Sequence, residues 1–206
     1  MISSGKEYKV NQKKELVYIN QRLLDSQKDS LIYIIKQVGA NIIKGKSIIN
    51  VSLPVDIFEG RSLLERSASG FGCAPIFLKG IGEANIMTQM HNVVKFLTSV
   101  SPLELIMQKP FNPILGETFQ CYLGGIPIYY EQISHHPPIS AYYMKHEDFT
   151  LFGNLNAVAN VGLNSANGGN IGVMNILFRN GSHFRLYMPP VEISGLVYGD
   201  RKFRVL

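Results

Sequence analysis

His135 and His136 stand directly before Pro137-Pro138 in the run EQISHHPPISA, Glu131 to Ala141. Neighbouring imidazoles offer N–H donors to an anion, ligands to a metal, or structural hydrogen bonds. Glu131, Gln132 and Ser134 are candidate partners that would orient the rings. A second segment, KPFNPILGET, holds Lys109 and Asn112 in a stretch stiffened by Pro110 and Pro113. A lysine and an amide on a stiff segment suit a phosphate or carboxylate, because little chain entropy is lost on binding. A metal site would need a third ligand, and His91, His146 and His183 have no ligand-type spacing to the pair. Anion binding, structural hydrogen bonding and metal binding all remain open on the residues alone.

Catalytic patterns are absent. The sequence has no G-x-S-x-G elbow, Walker loop, H-E-x-x-H or dinucleotide-binding glycine pattern. Nothing in it sets Glu117 against Glu131, and Ser134 is too near His135 along the chain to form a triad-like pair. Cys73 and Cys121 lack zinc-site spacing and read as reduced thiols.

The elements that position these segments follow from periodicity. Leu31, Ile34, Ile35 and Val38 have helical spacing, with Ser26 and Asp29 as a capping pair and Gly39 as a stop. An extended stretch containing Pro54 follows, then a short helix, SLLERSA, capped by Ser62 and Glu65. From Gly82 to Val100, the residues Ile86, Met87, Met90, Val93, Val94, Leu97 and Val100 trace one apolar stripe that predicts a helix ended by Pro102. Beyond Leu115 the chain turns to short Ile-, Val-, Tyr- and Phe-rich segments. Gly124-Gly125, Pro137-Pro138, Gly168-Gly169, Asn180-Gly181 and Pro189-Pro190 punctuate them, which predicts an antiparallel meander. Asn180-Gly181 reads as a hairpin turn and NSANGGN as a loop. IPIYY, FTLFGNL and SGLVY read as strands with two apolar faces, fitting a sheet curled round an apolar lumen or a sandwich core.

The chain has 206 residues, 46% apolar and 17% charged, the profile of one globular domain with a sizeable core. No run of about 18 apolar residues crosses a bilayer, and the N-terminus is too polar for a signal peptide, so a cytoplasmic location is expected. The net charge of +5 lies wholly in residues 1–50, with nine Lys or Arg against four acids. Such a segment suits an anionic membrane surface or a solvated tail. Nucleic-acid binding is disfavoured, because this basic excess is not interleaved with aromatics.

EQISHHPPISA resembles the fingerprint of the oxysterol-binding-protein-related family, E-Q-x-S-H-H-P-P. KPFNPILGET matches the family's K-P-x-N-P-x-L-G-E element, and SLPVDIFEGRSLLER is similar to its L-P-x-x-x-x-E-P-R-S-x-L-E segment, with Gly60 in place of the usual proline. The resemblance implies an α+β, mainly β, fold: an incomplete antiparallel β-barrel around a hydrophobic tunnel, with packed helices and an N-terminal helical lid. It implies a basic tail over residues 1–22 and the lipid-binding domain over 23–206, with the lid at about 23–52, helices at about 62–100 and the meander at about 115–206. The family domain is longer, so its C-terminal part is expected to be missing, leaving barrel edges open to self-association.

The implied function is non-enzymatic lipid binding and transfer. A sterol, phosphatidylserine or phosphatidylinositol 4-phosphate would be exchanged between apposed membranes, with the protein peripheral on anionic membrane surfaces and using no cofactor or metal. Carried over by position, Lys109, Asn112, His135, His136 and the backbone at Leu53 would hold the head group, and Leu31, Ile34, Ile35 and Val38 would form the lid. Gln89 and Gln108 do not sit where some sterol-binding members place a glutamine, so the cargo stays open. The alternatives are a lipid-responsive sensor or tether and a metal-dependent hydrolase.

Overall fold

The computed structural model describes residues 8–13, 16–26, 28, 32, 55, 58–100, 109–162 and 164–206. Of the helix expected over Leu31 to Val38 only Ile32, which is helical, is described. Leu31, Ile34, Ile35, Val38, Asp29, Gly39 and Leu53 lie outside the described residues. Ser26, expected as a cap, instead lies in a helical stretch over 21–26, with its hydroxyl donating to the Leu23 carbonyl. In chain order the elements begin with β1 (Tyr8–Val10), β2 (Leu16–Tyr18), β3 (Phe58–Ser62), α1 (Leu63–Gly70), a 3-10 turn (Phe71–Cys73), α2 (Ala74–Leu78) and α3 (Ile86–Val100). There follow β4 (Lys109–Phe111), β5 (Thr118–Leu123), β6 (Ile126–His135), β7 (Pro138–Lys145) and β8 (Phe149–Val161). The last are β9 (Ser165–Asn170), β10 (Met174–Phe178), β11 (His183–Leu186), β12 (Val191–Ser194) and β13 (Lys202–Val205). Mainly antiparallel β with a few packed helices is the class expected from the sequence. Among the described residues, β1 and β5 are the ends of the strand order.

The chain divides into two compact units, Met1–Phe58 with Val158–Asn170 and Pro189–Leu206, and Glu59–Ala157 with Ile171–Met188. In the first unit β1, β2, β13, β12 and β9 follow one another as antiparallel neighbours. β1 and β2, expected as part of a basic tail, therefore pair with each other, and β2 pairs with β13. NSANGGN is also corrected from loop to strand, since β9 pairs with β12 from Ser165 to Gly168. Gly168 lies so close to a neighbouring strand that a Cβ would meet the Val158 carbonyl at 2.6 Å; the glycine serves close approach rather than a turn. Conversely, SGLVY is not a strand. β12 stops at Ser194, Gly195 has φ +74°, and the Asn164 Oδ1 accepts from the amides of Val197 and Tyr198, so the segment is bound as a turn.

In the second unit β5 to β8 form successive antiparallel pairs, and β10 joins β8 to β11. Gly124 and Gly125, with φ of +56° and +82°, close the β5–β6 hairpin, as both residues of a type I′ turn require. Strand alternation sends Ile126, Ile128, Tyr130, Tyr142, Met144 and Leu151 to one buried face. Against it pack Leu64 and Ala68 of α1, Phe71, Leu78 of α2, and Val93, Phe96 and Val100 of α3. Each of the larger apolar side chains, the Leu, Ile, Val, Met and Phe residues, contributes about 1.5–3 kcal/mol by burial. Phe71 anchors the seam, with ring centroids 5.0 Å from Tyr142, 6.0 Å from Phe96 and 6.3 Å from Tyr130.

The helices depart from the sequence reading in two ways. Ser62 stands at the N-cap of α1, yet its side chain makes no capping hydrogen bond. In α3 the expected stripe divides between two faces. Gln89, Val93, Phe96 and Val100 are buried, whereas Ile86, Met87, Met90 and Val94 are exposed. The helix begins at Ile86 rather than Gly82, because the Asn85 Oδ1 caps it by accepting from the Thr88 amide.

Asp148, only 8% exposed, fastens the α2–α3 connection to the sheet. Its Oδ2 accepts from the Gly80 amide at 2.7 Å, its carbonyl accepts from the Arg179 amide, and its own amide donates to His146 Nδ1. The β10–β11 turn adds to this: the Asn180 amide and side chain donate to the carbonyls of Gly82 and Ala84, and Arg179 pairs with Glu83 at 2.8 Å. The buried Gln89 donates to the Ile81 and Gly82 carbonyls, so its amide is committed to structure. Replacing Asp148 with Ala is expected to lower unfolding free energy by about 2–3 kcal/mol, since a charged, buried acceptor is lost. Arg179→Ala, at a half-exposed pair, should cost less than about 1 kcal/mol. Urea denaturation measures both, and equal effects would show that the carboxylate is not the anchor.

Candidate functional site

The β6–β7 ladder keeps register from Ile128↔Met144 to Gln132↔Ser140 and then shifts, with Ser134 opposite Ile139 and His135 opposite Pro138. Ile133 is the extra residue of a β-bulge. A shift of one residue exchanges the faces of every side chain beyond it. Without the bulge His135 would share the outer face with Tyr129 and Glu131; with it, His135 falls on the face of Gln132 and Ser140, beyond the last buried position. The Pro137-Pro138 turn then reverses the chain, and the peptide before Pro137 is cis. The rings of His135 and His136 are exposed and meet edge to face with centroids 4.6 Å apart.

Gln132 holds the bulge. Its side chain, 1% exposed, donates from Nε2 to the Ser134 carbonyl at 2.7 Å and accepts through Oε1 from the Ser140 hydroxyl. Its backbone binds the other segment, donating to the Glu117 carbonyl and accepting from the Gly116 amide, both at 2.9 Å. KPFNPILGET is thereby tied to the imidazole turn. Within it a turn closes from Glu117 N–H to the Ile114 carbonyl, and the Glu117 carboxylate accepts from the Ile114 amide. Lys109 lies in strand β4 rather than in a loop, and its Nζ donates to Asn112 Oδ1 at 2.8 Å. Lys109 is exposed as a whole, yet partial burial of its amine lowers its pKa from the ordinary lysine value.

The structure therefore joins His135 to His136 and Lys109 to Asn112, and the path between the two pairs runs through Gly116 and Gln132. Leu53 and the lid residues Leu31, Ile34, Ile35 and Val38 lie outside the described residues. The orienting roles considered for Glu131, Gln132 and Ser134 are not observed. Glu131 and Ser134 point to the outer face, the Gln132 amide is spent on Ser134 and Ser140, and among the described residues no hydrogen bond engages either imidazole. Gln132 was legible as a polar residue at a buried strand position; the bulge that makes it decisive has no local sequence signal.

Among the described residues, three ligand-type side chains converge at His146, Glu147 and Asp148, away from the imidazole turn. Asp148 is committed there to the Gly80 amide. Both cysteines are free thiols whose pKa is raised by burial.

The family model described as oxysterol-binding protein matches residues 34–205. Oxysterol-binding protein 9 of Dictyostelium discoideum is 36% identical over 188 residues, covering 89% of this chain and 44% of the relative. Oxysterol-binding protein-related protein 8 of Homo sapiens is 32% identical over 187 residues, covering 85% of this chain and 21% of the relative. The chain thus spans less than half the length of these relatives. Among solved structures, the Osh3 ORD of Saccharomyces cerevisiae in complex with PI(4)P has a TM-score of 0.74 at 24% identity, covering 86% of this chain and 47% of that one. The Osh1 ORD domain in complex with cholesterol has a TM-score of 0.72 at 23% identity, covering 90% and 50%. The mainly antiparallel fold is therefore shared with those domains, and with the family model matched from residue 34 to 205, this chain belongs to the oxysterol-binding protein family.

Proposed function

We propose that this protein binds a membrane lipid and carries it between membranes, holding an anionic, phosphorylated head group at His135, His136, Lys109 and Asn112. The observation that carries this reading is the exposed imidazole pair, aimed by the Gln132-held bulge and unengaged by any described hydrogen-bond partner. Family membership supports it, as does the presence of PI(4)P and cholesterol in the neighbouring domains. A lipid leaving a bilayer must recover about 0.8 kcal/mol per methylene of its chains, and its charged head must meet donors in place of water. Clustered N–H groups on a stiff frame meet the second need at little entropic cost.

The apolar face of α3 formed by Ile86, Met87, Met90 and Val94 offers the kind of surface that lipid chains require. In this reading the backbone at Leu53 adds head-group donors, and the segment containing Leu31, Ile34, Ile35 and Val38 acts as the lid over a hydrophobic tunnel. The cargo is a sterol or phospholipid, phosphatidylinositol 4-phosphate, or both in exchange. No described helix is long and apolar enough to cross a membrane, and membrane contact is proposed to be peripheral and transient.

Extraction of phosphatidylinositol 4-phosphate from labelled liposomes tests the head-group assignment. The double variant His135→Ala, His136→Ala should lose more than tenfold in affinity, about 1.5–3 kcal/mol for each charged-group hydrogen bond, while neutral-lipid uptake persists. Unchanged extraction would refute the site, and extraction without transfer between liposomes would leave a sensor. Gln132→Ala should cost about 1–3 kcal/mol of stability by orphaning Ser134 and Ser140. It should also weaken phosphoinositide extraction more than uptake of a neutral lipid; equal losses of both would show that Gln132 acts only through general stability.

A further inference from the structure

We infer that the edge of β5 that has no neighbour among the described residues is a dimerisation strand, which pairs antiparallel with the same strand of a second copy about a two-fold axis through Gln120. This extends the expectation of self-association to a particular strand and register, and it is independent of the lipid reading. β5 ends the strand order of the sheet, with β6 as its neighbour. The two-residue Gly124-Gly125 turn places Leu123 opposite Ile126 as the hydrogen-bonded pair that closes the hairpin. Bonded and non-bonded pairs then alternate, so Phe119 and Cys121 also bond to β6. The amides and carbonyls of Thr118, Gln120 and Tyr122 face away from the sheet. These three residues are exposed, Tyr122 to 75%, and among the described residues no strand pairs with this edge.

Natural edges of this kind are usually guarded by Lys, Pro or a bulge. The strand Thr118–Leu123, TFQCYL, contains none of these and no charge. Pairing two copies therefore sets no like charges opposite each other within the strand, although the chain carries a net +5. Antiparallel pairing about Gln120 sets Gln120 against Gln120 and Thr118 against Tyr122, all on the outer face, and Phe119 against Cys121 on the inner one. Every outward amide and carbonyl of the three residues gains a partner, and side-chain faces match. A two-fold axis normal to the sheet also keeps the helices of both copies on one side and the exposed Tyr129 and Tyr143 of both on the other. An unrelated peptide would satisfy the backbone alone; an identical strand supplies matching side chains by symmetry.

Light scattering coupled to size exclusion, over a concentration series of the whole chain, tests this. The wild type is expected to dimerise. Gln120→Lys and Gln120→Glu, at an exposed position, should each weaken dimerisation about tenfold by setting like charges opposite at the axis, and a 1:1 mixture of the two should restore it. A wild type that stays monomeric up to about 100 µM, a dimer insensitive to both substitutions, or a mixture that fails to re-associate would each overturn the proposal. Circular dichroism of the variants checks that the fold is kept.

Discussion

Gln132 is the residue on which the site depends, because one buried amide and its peptide group answer for three pieces of backbone. The side chain satisfies the Ser134 carbonyl that the bulge leaves without a ladder partner, and it fixes the start of β7 through Ser140. The peptide group ties down Gly116 and Glu117, hence the lysine-bearing segment that leads into them. A buried polar side chain is tolerated in an apolar sheet only when its own groups are satisfied, and both Oε1 and Nε2 are. The imidazoles can consequently stay exposed and unengaged without the turn that carries them being loose. Rigidity comes from below the site, and chemistry is left at its surface.

The helical layer is held to the same sheet by a different device. The apolar contacts of Leu64, Phe71, Val93 and Phe96 with the strands are non-directional and would tolerate sliding. Asp148, Asn180 and Gln89 remove that freedom by binding the backbone of residues 80–84 at fixed points. One face of α3 packs in this way, while Ile86, Met87, Met90 and Val94 on the other stay exposed.

Much of the site was legible because its signals are local. Pro137-Pro138 marks the turn whatever else the chain does, and Asn180-Gly181 and Gly124-Gly125 fix hairpins through backbone conformation alone. Motif resemblance added the family and, with it, the fold class. What escaped was decided by tertiary neighbours. NSANGGN looks like a loop until its glycines are seen to admit a crowding strand, and SGLVY looks like a strand until Asn164 claims its amides. The stripe on α3 was read as one face because apolar character cannot distinguish a residue that packs from one that is left exposed. The bulge at Ile133 depends on pairing across strands, so no single-strand pattern announces it, yet it decides which way His135 points.

The aromatic seam also gives the molecule an optical property. The chain has no tryptophan, so its near-ultraviolet spectrum belongs to tyrosine and phenylalanine. Tyr130 and Tyr142 are locked against each other, centroids 5.6 Å apart, and against Phe71, whereas Tyr122, Tyr187 and Tyr198 are largely exposed. Asymmetrically fixed rings dominate near-ultraviolet circular dichroism and mobile ones contribute little. In the first unit Tyr18 is held in the same way, buried against Tyr8, whose ring also meets Phe203, so the spectrum gives a label-free view of aromatic packing in each unit.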